Sequence, residues 1–382
     1  MSLKGQNIIR AKQTNRSRVL QSLLRYGPTS RQHIAEMTQL TSATISHLTA
    51  ELIEEGLIRE VGYLQEEEKK VGRKFIALAL NGDASWVVGI HIHVSQVELG
   101  LINLHGLIKK TRQFPLSPGI NEAAFTEMLI KELKAFISDI NDVQIAAVGI
   151  GCLGLISFDK GEILNVEPLG WGPVPLAAQI TNAVQLPVYI DNNVRAMTLA
   201  EKMFGESKQV SDFLCIYIGE GIGSGLILND RLYRGGPTGS GEFGHMTYMP
   251  DGISCWCGNR GCLEQYASNT AISRQLQASW PRVLHAFEQG DSETVQAMRQ
   301  AGRAIGTVLA SYINILHVEK VVVAGVMAGP GFPLISELKK EIEWRSFLFK
   351  REKVQIESSS FGEHIGLIGA ASLALQHEIF IR

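Results

Sequence analysis

Between Asn15 and about Gly62, apolar residues recur at helical spacing in short bursts separated by breakers. Val19, Leu20, Leu23 and Leu24 make the apolar side of a first helix, which stops at the pair Gly27-Pro28. Thr29 with Gln32 three residues on is a capping-box signature and predicts a short second helix through Ile34 and Ala35. Leu40-Thr41-Ser42 supplies the next turn and cap, and Ile45, Leu48 and Leu52 then recur on the buried side of a third helix reaching about Glu55. Gly56-Leu57-Ile58 opens an extended segment, and EEEKKVGRKFIALAL reads as a charged hairpin tip returning into a strand. Three helices followed by a hairpin predict a winged helix-turn-helix module over residues 1–80.

After Gly82-Asp83 the pattern changes to strands alternating with helices. VVGIHIHVSQVELGLINLHGLI alternates with period two and predicts a hairpin turning near Ser95-Gln96. A helix over roughly 122–140 precedes the buried strand IAAVGIGCLGLI, and PVYIDNN is a further strand with a polar tip. FLCIYIGEGIGSGLILNDRLY begins a second series, again as a hairpin, which proceeds through helices to KVVVAGV at 320–326. Two strand-hairpin-helix halves predict two α/β lobes, 81–195 and 196–382, with a cleft between them and a C-terminal helix returning to the first lobe.

The length of 382 residues and 45% hydrophobic content fit a soluble chain of two or three domains. No apolar run reaches the roughly 18 residues of a membrane span, and the amino terminus has no signal-peptide pattern, so a cytoplasmic protein is expected. A net charge of only −2 excludes a general polyanion binder. Its distribution says more: residues 1–40 carry seven Lys/Arg against one acid, Glu36. The third helix leaves Ser42, Ala43, Thr44, Ser46 and His47 outward, short polar groups suited to base edges and phosphates in a major groove. Arg31, and Arg73 with Lys74 in the hairpin tip, complete the expected DNA contacts.

The strongest chemical signal is the run GEFGHMTYMPDGISCWCGNRGCLE from Gly241 to Glu264. Three of the chain's five cysteines, Cys255, Cys257 and Cys262, fall within eight residues, and His245 stands shortly before them. That is the ligand set of a closed Cys₃His structural zinc site, with Gly258 and Gly261 letting the backbone wrap the ion.

GIGCLGLI at 149–156, PLGW at 168–171, VYIDNNVRAMTLAE at 188–201, GEGIGSG at 219–225, GEFGH at 241–245 and CWCGNRGCLE at 255–264 together resemble the ROK family of repressors, open reading frames and kinases. The resemblance runs from about residue 12 onward and implies an actin/hexokinase-like body; the repressor branch adds a winged helix. It also implies sugar contacts from Asn192, Asn193, Glu242, His245 and Glu264, with Asn165 and Gly154 beside them. Carboxylates and amides suit adjacent sugar hydroxyls because they bridge them with paired hydrogen bonds.

Two departures from the kinase pattern separate binding from catalysis. The family's catalytic Asp falls on Asn193, eight residues before Glu201, and an amide forfeits the roughly 10²–10⁴-fold contribution of a general base. Asp191 would lie roughly 6–7 Å away along a strand end, a poor substitute. The first phosphate loop, approximately D-x-G-G-T in kinases, is replaced here by His91-Ile92-His93-Val94-Ser95, without acid or glycines. His91 and His93 alternate along one strand, but the sequence suggests no third ligand near them, and no metal is expected there.

The expected protein therefore has no catalytic residue and no ATP. It is a sugar-responsive transcriptional regulator, a repressor of carbohydrate-utilisation genes, that binds double-stranded operator DNA and a sugar or sugar phosphate. It holds structural zinc and forms a homodimer or dimer of dimers. The competing class is an ATP-dependent sugar kinase with an added DNA-binding domain.

Overall fold

The computed structural model describes residues 3–64, 75–236 and 239–381; the expected wing contacts Arg73 and Lys74 lie outside them. The first helix, α1 (Leu3–Tyr26), is followed by β1 (Thr29–Ser30), α2 (Arg31–Thr38), α3 (Ser42–Glu54), β2 (Ile58–Tyr63) and β3 (Ile76–Leu80). The strands form one small antiparallel sheet in the order β1-β3-β2. The cap of α2 differs from expectation. Ser30, not Thr29, accepts from the backbone N–H three residues on, at His33 (3.1 Å). Thr29 is drawn into the ladder opposite Leu78, and Gln32 bonds Glu36 instead of closing a box. Thr41 caps α3 by accepting from Thr44 N.

The first large sheet is built from β4 (Trp86–Ile92), β5 (Gln96–Asn103), β6 (Ile108–Pro115), β7 (Ile145–Cys152) and β10 (Val188–Asn192), in the order β10-β7-β4-β5-β6. Helix α4 (Glu122–Ser138), the hairpin of β8 (Leu155–Ser157) and β9 (Glu162–Asn165), and α5 (Leu176–Val184) fill the connections, and α6 (Asn193–Met203) leads out of β10. The second sheet runs β13-β12-β11-β14-β15, from β11 (Phe213–Ile218), β12 (Ile222–Leu228), β13 (Arg231–Tyr233), β14 (Lys320–Ala324) and β15 (Gln355–Ser358). In each sheet an antiparallel three-strand meander continues into two parallel strands, so the expected hairpins are parts of larger, duplicated units. Helices α7 (Glu264–Ala267), α8 (Asn269–Gln275), α9 (Trp280–Glu288), α10 (Ser292–Leu316) and α11 (Leu334–Arg345) belong to the second half. The chain ends through α12 (Ile365–Leu375) and a wider turn, Gln376–Phe380.

The central strand β4 is buried at every position, whereas the edge strand β6 alternates, as one covered face requires. Helix α12 is apolar all round and buried throughout, and nine residues of α6 are buried, as expected of helices enclosed on all sides. The two pack together, α12 also against β4 and β7, and α6 against β12. Glycine permits the closeness: a methyl group on Gly149 in β7 would lie 1.9 Å from the Ala370 carbonyl oxygen of α12. Gly149→Ala is therefore expected to destabilise the protein by about 1–3 kcal/mol, because neither backbone can retreat without repacking. A denaturant melt checks this; a change under about 0.5 kcal/mol, typical of surface positions, would contradict it.

Candidate functional site

In the loop before α7, the ligand atoms of His245, Cys255, Cys257 and Cys262 all lie within 4.8 Å of one another. Cys255 Sγ is 3.6 Å from His245 Nδ1, and Cys257 Sγ is 3.6 Å from Cys262 Sγ. Tetrahedral bonds of about 2.3 Å to sulfur and about 2.05 Å to nitrogen place neighbouring ligands about 3.5–3.8 Å apart, so the group fits such an ion. Without a cation the arrangement is unfavourable to thiolates: burial and the neighbouring Cys257 and Cys255 sulfurs push the Cys262 thiol up to about 12. Gly261 lets the loop close, since a side chain there would strike the Met249 carbonyl at 1.7 Å. The other cysteines, Cys152 and Cys215, are buried apolar residues whose thiols burial pushes far up, and they take no part.

The residues assigned to sugar contact fall into two groups. At the end of β10, Asn192 caps α6 by accepting from Val194 N and Arg195 N and donates to the Gly154 carbonyl (3.1 Å), leaving one amide N–H. Gly154 has φ +87 and abuts Asn165, which is exposed at the end of β9. Asn193, half-buried, begins α6 and accepts from Val194 N through its side chain. The second group is packed on the start of β12. Glu242 is exposed, and His245, half-buried, turns Nδ1 to Cys255, leaving Nε2 for another partner. Glu264 accepts from Ile222 N (2.9 Å) and from Trp256 Nε1 (3.2 Å). The groups adjoin through α6: a methyl on Gly223 would meet Val194 at 2.8 Å, and Arg195 donates to Ser240 O (3.3 Å), close before Glu242.

Three features were not read from the sequence. Asp191 is wholly buried and locked between guanidinium groups, taking Arg195 Nε at 2.7 Å on one oxygen and Arg234 Nε at 2.9 Å on the other. It anchors α6 to the segment after β13. Trp256, 53% exposed, sets its indole edge-on to His245 at 4.7 Å and bonds Glu264, so it joins the metal loop to the second group. Glu98 supplies the third group beside His91 and His93 that was expected to be missing. Burial pushes His91 down to about 4, while the two imidazoles hold Glu98 down to about 2.

In the amino-terminal module, Ser42, Ala43, Ser46 and His47 are exposed along α3 and Thr44 is half-buried in the cap. The basic face is less free than its composition suggested. Arg31 donates to Thr49 (3.0 Å) and Glu60 (3.1 Å), Lys12 pairs with Glu51, and Arg16 pairs with Glu55. A groove of about 1230 Å³ runs beside this surface, lined by Arg31, Gln32, Ser42, Ser46, Tyr63 and Phe75. A cavity of about 440 Å³ lies between the module and the body, lined by Arg18, Arg25, Leu199, Lys202, Asp230 and Phe380 among others. Neither touches the residues assigned to sugar, which therefore rest on side-chain chemistry and position. Among the described residues no helix is long and apolar enough to cross a membrane.

The ROK family model matches residues 87–377. The chain is 29% identical over 385 residues to a xylose repressor of Caldicellulosiruptor bescii, spanning 95% of this chain and 96% of that one. It is 27% identical to the DNA-binding transcriptional dual regulator NagC of Escherichia coli K12, spanning 96% and 93%. Among solved structures, a ROK family transcriptional regulator homologous to the Escherichia coli MLC protein superposes with TM-score 0.83 at 26% identity, over 97% of this chain and 98% of that one. A ROK family glucokinase from Streptomyces griseus, bound to glucose and AMPPNP, superposes with TM-score 0.66 at 26% identity, over 76% and 99%.

Proposed function

The chain belongs to the ROK family, and from that premise we propose that it is a sugar-responsive DNA-binding transcriptional regulator, a repressor that recognises a sugar or sugar phosphate without phosphorylating it. The observation that carries the reading is Asn193 at the start of α6, where a kinase needs a carboxylate. An amide holds a hydroxyl through one acceptor and two donors but cannot take its proton. Asp191 gives no substitute, since both its oxygens are engaged with arginines. The repressor relatives also span the amino-terminal module, whereas the glucokinase covers 76% of the chain.

In this reading Asn192, Asn193, Glu242, His245 and Glu264 bind the sugar, with Asn165 and Gly154 at the rim, and zinc fixes the loop that presents His245. The Cys₃His donors are those of a closed structural site, in which the ion shapes the loop and does no chemistry. Residues 1–80 are the DNA-binding module, and 81–195 and 196–382 the two lobes. The outward face of α3 enters the major groove of a two-fold operator, read by a homodimer or dimer of dimers in the cytoplasm. A thermal-shift screen of sugars and sugar phosphates tests it: a ligand at 100 times its Kd adds about 2.7 kcal/mol of stability. Sugar-dependent ATP turnover is expected to stay below about 1 s⁻¹, and turnover at ordinary enzyme rates would favour the kinase instead.

A route from effector to operator follows from α6. Its first turn carries Asn193, and its last carries Lys202, which is ion-paired with Asp230; Asp230 in turn holds Arg25 of α1 at 3.3 Å. The apolar cores are continuous across the same joint, through Leu20, Leu23, Leu199, Met203 and Phe380. Asp230→Ala should cost at most about 1 kcal/mol of stability, because the pair is partly exposed. It should nonetheless remove the 1–3 kcal/mol or so by which effectors usually shift a linked affinity. DNA-binding titrations with and without sugar measure that difference; an undiminished response would place the route elsewhere.

A further inference from the structure

The β4–β5 hairpin holds a constellation that the reading above leaves unused. His91 and His93 stand two residues apart on one face of the strand, and Glu98 lies directly opposite His91 in the antiparallel register. One ligating atom from each falls within a 4.8 Å set. Glu98 Oε2 is 3.9 Å from His91 Nδ1 and 3.7 Å from His93 Nε2, and the imidazole rings are 3.8 Å apart. No hydrogen bond satisfies the gathering: both ring nitrogens of His91 and Nε2 of His93 are buried without a hydrogen-bond partner, Glu98 standing just beyond that reach, and His91 is only 2% exposed. Each such orphan costs about 1–3 kcal/mol, so the arrangement calls for an occupant. Helix α12 closes one side, since a methyl on Gly366 would lie 2.1 Å from the His91 ring.

We propose that His91, His93 and Glu98 form a second metal site, which binds a divalent transition cation of the zinc type through two imidazoles and one carboxylate. Imidazole nitrogen with a single carboxylate suits zinc and its first-row neighbours and is a poor cage for magnesium or calcium, which prefer all-oxygen shells. With bonds of about 2.1 Å, neighbouring ligands in a tetrahedral site stand about 3.4 Å apart, so the two imidazole–carboxylate separations need close by only a few tenths of an ångström, and the two imidazole nitrogens lie within 4.8 Å of each other. His93 and Glu98 each keep 25% side-chain exposure, which gives the ion an entry and leaves room for water or another oxygen ligand. The ladder aligns His91 with Gly151 and Asp191, and Ile92 with Cys152 and Asn192. Two strand spacings, about 10 Å, thus separate β4 from the strand that ends in the Asn192-Asn193 turn, and an ion held by β4 and β5 would brace the same end of the sheet. The inference stands on these residues alone and holds whichever way the sugar reading falls.

The test uses the full-length chain equilibrated with zinc, dialysed, and analysed by metal mass spectrometry. About two ions per chain are expected, one on Cys₃His and one here, falling to about one in His93→Ala and in Glu98→Gln. Calorimetric zinc titration should show the second affinity reduced by more than the roughly 10–100-fold that follows loss of an outer-shell partner. Circular dichroism confirms that the variants fold; should His93→Ala fail, Glu98→Gln, which keeps the shape, decides alone. One zinc per chain in the parent protein, or two in a folded Glu98→Gln, overturns the proposal.

Discussion

Cys257→Ser is expected to lower effector affinity by at least about 100-fold, or about 2.8 kcal/mol at 1.4 kcal/mol per tenfold. Structural zinc sites supply about 10–16 kcal/mol of binding free energy in small zinc modules, and that energy is what holds their loops folded. Here the loop is otherwise held by hydrogen bonds rather than an apolar core: Cys257 is exposed, and bonds such as Gly258 N to Cys255 O, Cys255 N to Asn259 O, Asn259 to Thr247 and Arg260 to Ser254 tie the turn around it. If zinc holds this loop, its loss would free His245 from Cys255 and release Trp256 from Glu264, so two of the residues proposed to contact the sugar would lose their positions together. The lobes have separate apolar cores and should keep their secondary structure. Calorimetry with a sugar found in the thermal-shift screen checks the affinity, and circular dichroism checks the fold. Unchanged affinity in a zinc-free variant would remove the metal from recognition.

Asp191→Ala should be the most destabilising exchange near the site, at about 3–5 kcal/mol, because it leaves a buried charge uncompensated. Arg195 is 2% exposed, and its Nη2 lies 2.6 Å from Asp191 Oδ1; its remaining bonds go to the Ser240 and Ile156 carbonyls. Neither carbonyl carries a full charge to replace the carboxylate. Arg234, stacked over Phe158 at 4.0 Å, would lose its anchor as well. Denaturant unfolding measures the loss. A cost below about 1 kcal/mol would mean that water or another acid takes over, and would reopen Asp191 to a chemical role.

Much of this was legible in the sequence where the information is local. The breaker at Gly27-Pro28 and the periodicity of Ile45, Leu48 and Leu52 reappear, because spacing along the chain fixes which side chains share a face; the buried strand read over 145–156 keeps only Ile145–Cys152, and Leu155–Ser157 joins a separate hairpin. The cysteine cluster was legible for the same reason: its His and Cys side chains lie within one loop and need only that loop to close. The Thr29–Gln32 box failed because a local capping signal competed with strand pairing to Leu78, a partner 49 residues away.

By itself, then, the sequence determined the kinds of element and the His/Cys cluster that could hold a metal, both matters of residue type at short spacing, while the reading of Asn193 in place of an acid came from the resemblance to the ROK kinases. Only the tertiary structure decided which charges are spent. It paired Lys12 and Arg16 with acids 39 positions away, locked Asp191 between Arg195 and Arg234, and set Glu98 across from the two histidines. Those outcomes depend on strand register and helix packing, which hydrophobic burial fixes over the whole chain, and a charged group reveals its role only once its neighbours in space are known.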